Sequence, residues 1–274
     1  MHALKTCVLL ALVASAALAD GGIFSDKDVV FLGEQHDNAQ HHRRQAELVG
    51  QIAPKALVFE MLTPAQAARI TPDLLGEESA LDSALGWNDS GWPDFALYYP
   101  IFAAAPKADY FGAALPRDEA QKVVSDGVLA VFGPDAPEYG LGTALPEDQQ
   151  TAREALQMAA HCDMMPEEML PTMVDIQRMR DALLARAAAQ ALDETGGPVV
   201  VITGNGHARL DWGAPALLDL ARPGLRIAAL GQGEESFGAP DGGFDAVEVS
   251  ADVERGDPCA AFHTDTTKTD GAGD

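Results

Sequence analysis

The chain has 274 residues, of which 42 are acidic and 18 basic, for a formal net charge of −24. A field of that sign repels phosphate backbones and anionic lipid, so nucleic acid and charged membrane surfaces are excluded as partners, whereas a cationic, neutral or metal-bearing ligand is accommodated. The length suffices for one large α/β domain with a sizeable core.

At the N-terminus Lys5 precedes the apolar run Cys7 to Leu18, which ends in Ala17-Leu18-Ala19 before Asp20. A positive charge, a short apolar segment and a small-residue cleavage pattern make a secretory signal peptide over residues 1–19, cut after Ala19. The run is too short to cross a bilayer, which takes about 20 apolar residues, and no later segment approaches that length. The expectation is a soluble, exported, periplasmic protein with no membrane insertion. A lipid anchor would need a cysteine directly after the cut, where Asp20 and Gly21 stand instead. Cys162 and Cys259 remain in the mature chain, and an oxidising compartment favours joining them in one disulfide. They are not in a CxxC arrangement, which argues against the competing redox or metal-thiol pair.

The elements alternate. Asp28 to Gly33 is a β-branched apolar run, followed by helical spacing of Ala46, Val49 and Ile52 within Asn38 to Ile52. Ala56 to Leu62 repeats the strand pattern, and Thr63-Pro64 opens a helix with a cap residue and a proline at its first position. From about 71 to 157 the texture changes to aromatic, proline and glycine residues with one strand, Ala108 to Ala113, and the reading is a mainly helical insertion. A helix runs from Pro146 to about His161, and a longer one from Pro166 to Asp193 carries Met169, Met173, Ile176, Met179 and Leu183 at helical spacing, which is core packing. Val199 to Thr203 and Leu225 to Leu230 read as buried parallel strands joined by a crossover helix from Pro215 to Arg222. The sum is an α/β fold: a doubly wound, mostly parallel sheet with helices on both faces and the insertion. Residues 20–263 form the domain, and 264–274 read as a disordered tail.

In an open parallel sheet ligands bind outside the carboxyl ends of the strands. The first run delivers Gly33-Glu34-Gln35-His36-Asp37 there, the second Glu60, and the Val199 run Gly204-Asn205-Gly206-His207. Two carboxylates and two imidazoles aimed at one crevice can hold a divalent metal, shuttle protons or grip a polar ligand. Glu34, His36, Glu60, Asn205 and His207 are therefore expected to line one pocket. His41 and His42 lie inside the first helix and read as solvated or capping groups. His161 beside Cys162 either reaches the site or caps carbonyls, and His263 near the tail reads as incidental.

These strings, taken with Trp92 through Tyr98-Tyr99-Pro100 and Pro166-Glu167-Glu168-Met169, resemble the ChaN family, in order and across nearly the whole mature chain. The wider group of that resemblance includes erythromycin esterases and Tiki proteins and shares a Glu-x-His turn, a strand-end Glu and a late Gly-x-His, places filled here by Glu34, His36, Glu60 and His207. The resemblance implies haem as ligand and cofactor, a role in iron uptake with contact to an uptake system, and a homodimer with haem near its contact. It also makes a tyrosine ligand to the haem iron plausible, with Tyr98 preferred over Tyr99, while Trp87 and Trp92 offer apolar surface and Arg117 or Arg209 charge for the propionates. The competing reading is a hydrolase that uses His36 or His207 as base, with Glu34 and Glu60 orienting it or all four holding a metal. No Gly-x-Ser-x-Gly elbow is present for a serine mechanism.

Overall fold

A computed structural model of the chain describes residues 21–260. The segments expected to form a signal peptide and a tail, and His263, lie outside the described residues. In chain order the elements are α1 (Gly21–Phe24), β1 (Val29–Glu34), α2 (Ala39–Ile52), β2 (Ala56–Phe59), α3 (Pro64–Ala67), α4 (Glu78–Leu85), α5 (Phe95–Ala104), β3 (Asp109–Gly112), α6 (Arg117–Asp126) and α7 (Val128–Phe132). Then follow α8 (Glu147–Ala160), α9 (Leu170–Thr195), β4 (Val199–Gly204), α10 (Asn205–Ala208), α11 (Ala214–Ala221), β5 (Ile227–Glu234) and β6 (Ala246–Ser250).

The six strands form one all-parallel sheet in the order β3-β2-β4-β1-β5-β6. Every residue of β1 and β4 is buried, the burial pattern their unbroken apolar runs demand of strands covered on both faces. Strand pleating sends alternate side chains to opposite faces. Val29, Phe31, Val58, Val199 and Val201 meet Ile176, Met179, Ala182, Ala185 and Leu218 from α9 and α11. Val30, Leu32, Leu57, Phe59, Val200 and Ile202 meet Leu48 and Val49 of α2, Leu81 and Leu85 of α4, and Phe95, Ile101 and Phe102 of α5. Within that second layer Phe59 and Phe102 stack with ring centroids 4.4 Å apart. Removing such side chains from water stabilises the fold by about 1.5–3 kcal/mol each. The methionine stripe of α9 is packing, as its spacing implied: Met179 is buried and Met173 half-buried against the same cluster.

Three differences from the expected elements have local causes. The second strand stops at Phe59 rather than Leu62, because the chain turns at Glu60 toward the Thr63 cap, whose side chain and that of Gln66 form a reciprocal capping box. The fifth strand runs on to Glu234 instead of ending at Leu230, extended by pairing with β6. β6 itself was not anticipated: its residues alternate between half-buried and exposed at the sheet edge, with Val247 and Val249 outward, so it has no apolar run to announce it.

Cys162, in the turn between α8 and α9, is bonded to Cys259 beyond β6, closing a span of 97 residues. No helix among the described residues is long and apolar enough to cross a membrane.

Candidate functional site

Three neighbouring strands end at one place. Glu34 closes β1 opposite Gly204 of β4, and Phe59 of β2 lies opposite Ile202, so Glu60 comes out beside Thr203. The register alone thus converges Glu34, Glu60 and the turn carrying His207.

Glu34 is buried, and its Oε1 accepts two hydrogen bonds of 2.8 Å, one from the Tyr98 hydroxyl and one from His36 Nδ1–H. Its Oε2 faces Nδ1 of the buried His42 at 3.4 Å, yet the two atoms are misaligned for a hydrogen bond and neither has another partner. His42 Nε2–H donates to the His36 carbonyl at 2.8 Å, fixing the turn that carries His36. The His36 ring meets Trp92 edge-on at 4.8 Å. It lies close across the end of β4, where residue 204 is glycine; a Cβ there would sit 3.0 Å from His36 Nε2 and press on the ring. Burial pushes the His36 imidazolium down, but the Glu34 hydrogen bond and the charges of Glu60, Glu34 and Asp37 outweigh it and hold the pKa up at about 9.

Glu60 Oε2 accepts from Thr203 Oγ1 at 2.6 Å and from the Gly204 amide at 2.8 Å, while Oε1 stands 3.7 Å from His207 Nε2. Burial disfavours its charge. The charges of His207 and His36 together with those two hydrogen bonds prevail and hold the carboxyl down at about 2. His207 Nδ1–H donates to Asp181 of α9 at 2.6 Å. Burial disfavours the His207 cation, but Glu60 and Asp181 hold its pKa above the ordinary histidine value. The result is a line of alternating charge, Asp181, His207, Glu60, His36 and Glu34, laid across three strand ends.

Of the expected residues, Glu34, His36, Glu60 and His207 meet here. Asn205 does not point into the crevice. Its amide donates to the Gln232 carbonyl at 2.7 Å and its oxygen accepts the Gln232 amide at 2.9 Å, a clasp between the ends of β4 and β5. Tyr98 is adjacent but fully buried, packed on His42 and Trp87, with its hydroxyl given to Glu34. Burial and the Glu34 charge raise its pKa, so the phenolate a haem iron would bind is disfavoured, and in this arrangement Tyr98 holds Glu34 instead of facing a ligand. Tyr99 gives its hydroxyl to the Leu75 carbonyl. His161 caps the Gln157 carbonyl at 2.7 Å.

His41 and His42, expected as solvated or capping groups, are both buried. His41 Nδ1 accepts the Gln35 amide and its Nε2–H donates to the Gly233 carbonyl. Sequence reasoning also passed over Asp181. A signal existed, since Val174, Asp181, Leu184, Ala185 and Ala188 share one buried helical face and an acid on such a face needs a partner.

Two clefts open on either side of the charged line. One, of about 550 Å³, is lined by Glu60, Met61, Trp92, Leu115, Pro116, Arg117 and Arg180. The other, of about 500 Å³, is lined by His207, Asp181, Arg153, Leu156, Val174 and Trp212 among others. No group of three or more His, Cys, Asp or Glu among the described residues is arranged to hold a metal ion, because each site carboxylate and imidazole is turned onto a protein partner. The divalent metal allowed for by the sequence therefore finds no ligand set here.

The family model described as haem-binding uptake, Tiki superfamily, ChaN, matches residues 23–218. The chain belongs to this family. The fold agrees: a solved structure reporting cofacial haem binding to ChaN of Campylobacter jejuni superposes with a TM-score of 0.59 at 19% identity, covering 80% of this chain and 85% of the other. A structure of the type III effector HopBA1 matches at a TM-score of 0.48 and 12% identity, over 85% of this chain and 92% of its own. No curated protein matches in sequence. Family membership speaks for haem and uptake and does not favour the hydrolase alternative.

Proposed function

We propose that the protein is an exported haem-binding component of iron uptake, with haem seated in the cleft between Glu60 and Arg117. The observation that carries this reading is the composition of that cleft. Met61, Ala113, Leu115 and Pro116 supply an apolar wall, and Arg117 and Arg180 bring two guanidiniums. Neither arginine has a carboxylate partner among the described residues of this strongly acidic chain, which leaves both available for propionates. Its volume of about 550 Å³ lies within the range of ligand sites. His36, in ring contact with Trp92 of that lining, has a side chain 34% exposed and is oriented by Glu34 through Nδ1. Its Nε2 makes no hydrogen bond within the described residues and is the imidazole nitrogen offered to iron. A nitrogen ligand must give up its proton, so the raised pKa of His36 implies haemin affinity that grows with pH toward 9.

The test is a haemin titration followed by the Soret band. The reading requires saturation at a fixed ratio, a tenfold or greater loss of affinity in an Arg117→Ala/Arg180→Ala double variant, and a changed spectrum in His36→Ala. A featureless titration refutes it. Export is checked by the N-terminal residue of secreted protein, expected to be Asp20, and a haem-linked homodimer by the change in elution volume on adding haemin. Cross-linking in cells would reveal transient contact with an uptake system.

A further inference from the structure

The second cleft holds an unexplained charge. Arg153 of α8 is 8% exposed, and its guanidinium reaches only two neutral acceptors, Gln149 Oε1 at 3.1 Å and the Trp212 carbonyl at 3.2 Å, both through Nη2. Its buried Nε has no partner, and no carboxylate lies in ion-pair contact with it among the described residues. In a chain with 42 acidic and 18 basic residues, a buried arginine lacking a counter-ion is the rare case, and it carries an uncompensated desolvation cost. Burial duly pushes its pKa below the ordinary arginine value, with Asp181 and Asp211 only partly opposing from a distance.

Its neighbour shows the contrast. Arg209 lies over the same Trp212 ring, 3.6 Å from the centroid against 5.0 Å for Arg153, but Arg209 is neutralised by a two-pronged pair with Asp211, both bonds 2.6 Å. Asp181, the acid that shares the cleft with Arg153, is already taken by His207. The unmatched positive charge on this wall therefore belongs to Arg153. Beside it on the same face of α8 lie Leu156, Gln157 and Ala160, at three, four and seven residues' spacing, and α9 adds Val174 and Gln177, so the cleft joins apolar and polar side chains to the guanidinium.

We propose that this cleft, between α8, α9 and the turn after β4, binds a carboxylate carried on an apolar body, with Arg153 as its counter-ion. Two sources share that chemistry: a free amphipathic organic acid, or a propionate of haem. The site is distinct from the cleft beside Arg117, and the proposal stands whether or not haem occupies the latter.

The test uses the full mature protein, its Arg153→Met variant, and an Ala160→Trp variant that fills the cleft from a position two helical turns further along α8 and leaves Arg153 itself unchanged. Octanoate serves as the free acid, and haemin is compared with haemin dimethyl ester, whose propionates are blocked. Saturable octanoate binding that weakens tenfold or more in both variants, with haemin affinity unchanged, assigns the site to a free acid. Tenfold weaker haemin binding in both variants, matched by equally weak binding of the ester to the unmodified protein, assigns it to a propionate. If neither octanoate nor haemin distinguishes the unmodified protein from Arg153→Met, the proposal is overturned. Should Arg153→Met fail to fold, the Ala160→Trp comparison alone decides: undiminished octanoate and haemin binding in that variant overturns it.

Discussion

Replacing Gly33 by alanine tests how the charged line is held in place. Gly33 precedes Glu34 in β1, and a Cβ at that position would lie 2.5 Å from Asn205 Oδ1, 2.8 Å from the Leu230 carbonyl oxygen and 3.2 Å from the Ala208 Cβ. The Leu230 oxygen is main chain of the neighbouring strand, in register with Leu32, and cannot retreat without shifting β5. Asn205 Oδ1 can retreat only by abandoning the Gln232 amide it accepts at 2.9 Å. Overpacking of this kind costs about 1–3 kcal/mol, and a buried amide left unpaired costs about 1–3 kcal/mol more. The expected loss is thus about 2–6 kcal/mol, read as a lower urea midpoint at unchanged slope. Displacement of β1 should also loosen the Glu34–His36 hydrogen bond, so the His36 ring signal in a proton NMR titration should move from its midpoint near 9 toward the ordinary histidine range. Adding Asn205→Ala should recover part of the loss, leaving the Leu230 contact. A Gly33→Ala protein within about 1 kcal/mol of the parent would refute the reasoning, because it would show that the strand spacing yields freely.

Other outcomes follow from the same geometry. Tyr98→Phe removes one of the two donors to Glu34 Oε1 and should cost about 1–2 kcal/mol in chemical denaturation while leaving the haemin spectrum unchanged; a lost or shifted charge-transfer band would restore Tyr98 as the iron ligand. His36 is raised in the folded state, so its contribution to stability is full below pH 6.5 and fades as pH rises through about 9; the melting temperature should fall over that window, and His36→Gln should flatten the fall. Glu60 is depressed to about 2, so its contribution is full above the ordinary carboxylate range near 4.5 and is lost as pH drops toward 2, a loss that Glu60→Gln should remove from the acid limb of the stability curve. Reducing the Cys162–Cys259 bond frees a 97-residue span in the unfolded chain and should lower stability by about 4–5 kcal/mol on the chain-entropy model, measured by denaturation with and without reductant.

Much of the site was legible because a parallel sheet converts sequence runs into positions. Val29 to Glu34, Ala56 to Phe59 and Val199 to Gly204 each announce a covered strand by unbroken apolar residues, and the polar residue that ends each run must emerge at the carboxyl edge. Strand order was not contained in those runs, and it is strand order that sets Glu60 beside Thr203 and Glu34 beside Gly204. Helical residues were harder to place. His42 follows a helix cap and looks like any surface histidine until the packing of α2 against β1 turns it under Glu34. Asp181 lies 26 residues before its partner His207, with all of β4 between them, so no local spacing could pair them. Nothing in Gly204-Asn205-Gly206-His207 signals that Asn205 turns away from the crevice, since its partner Gln232, which takes both its amide groups, lies 27 residues further on.

The position of β1 governs when the protein can assemble. This strand is made first but sits at the centre of the sheet, and its two neighbours are β4 and β5, about 170 and 200 residues further along the chain. Until those segments have emerged, β1 has no sheet to join; Glu34 and His36 lack Gly204, and Glu60, although made early, is brought beside them only through β4. Such long-range pairing makes the final collapse late and slow, with the apolar β1 segment left uncovered during synthesis. Until β4 and β5 arrive, Val29 to Leu32 stay exposed to aggregation, so the interval between making β1 and making β5 is when the chain is most vulnerable.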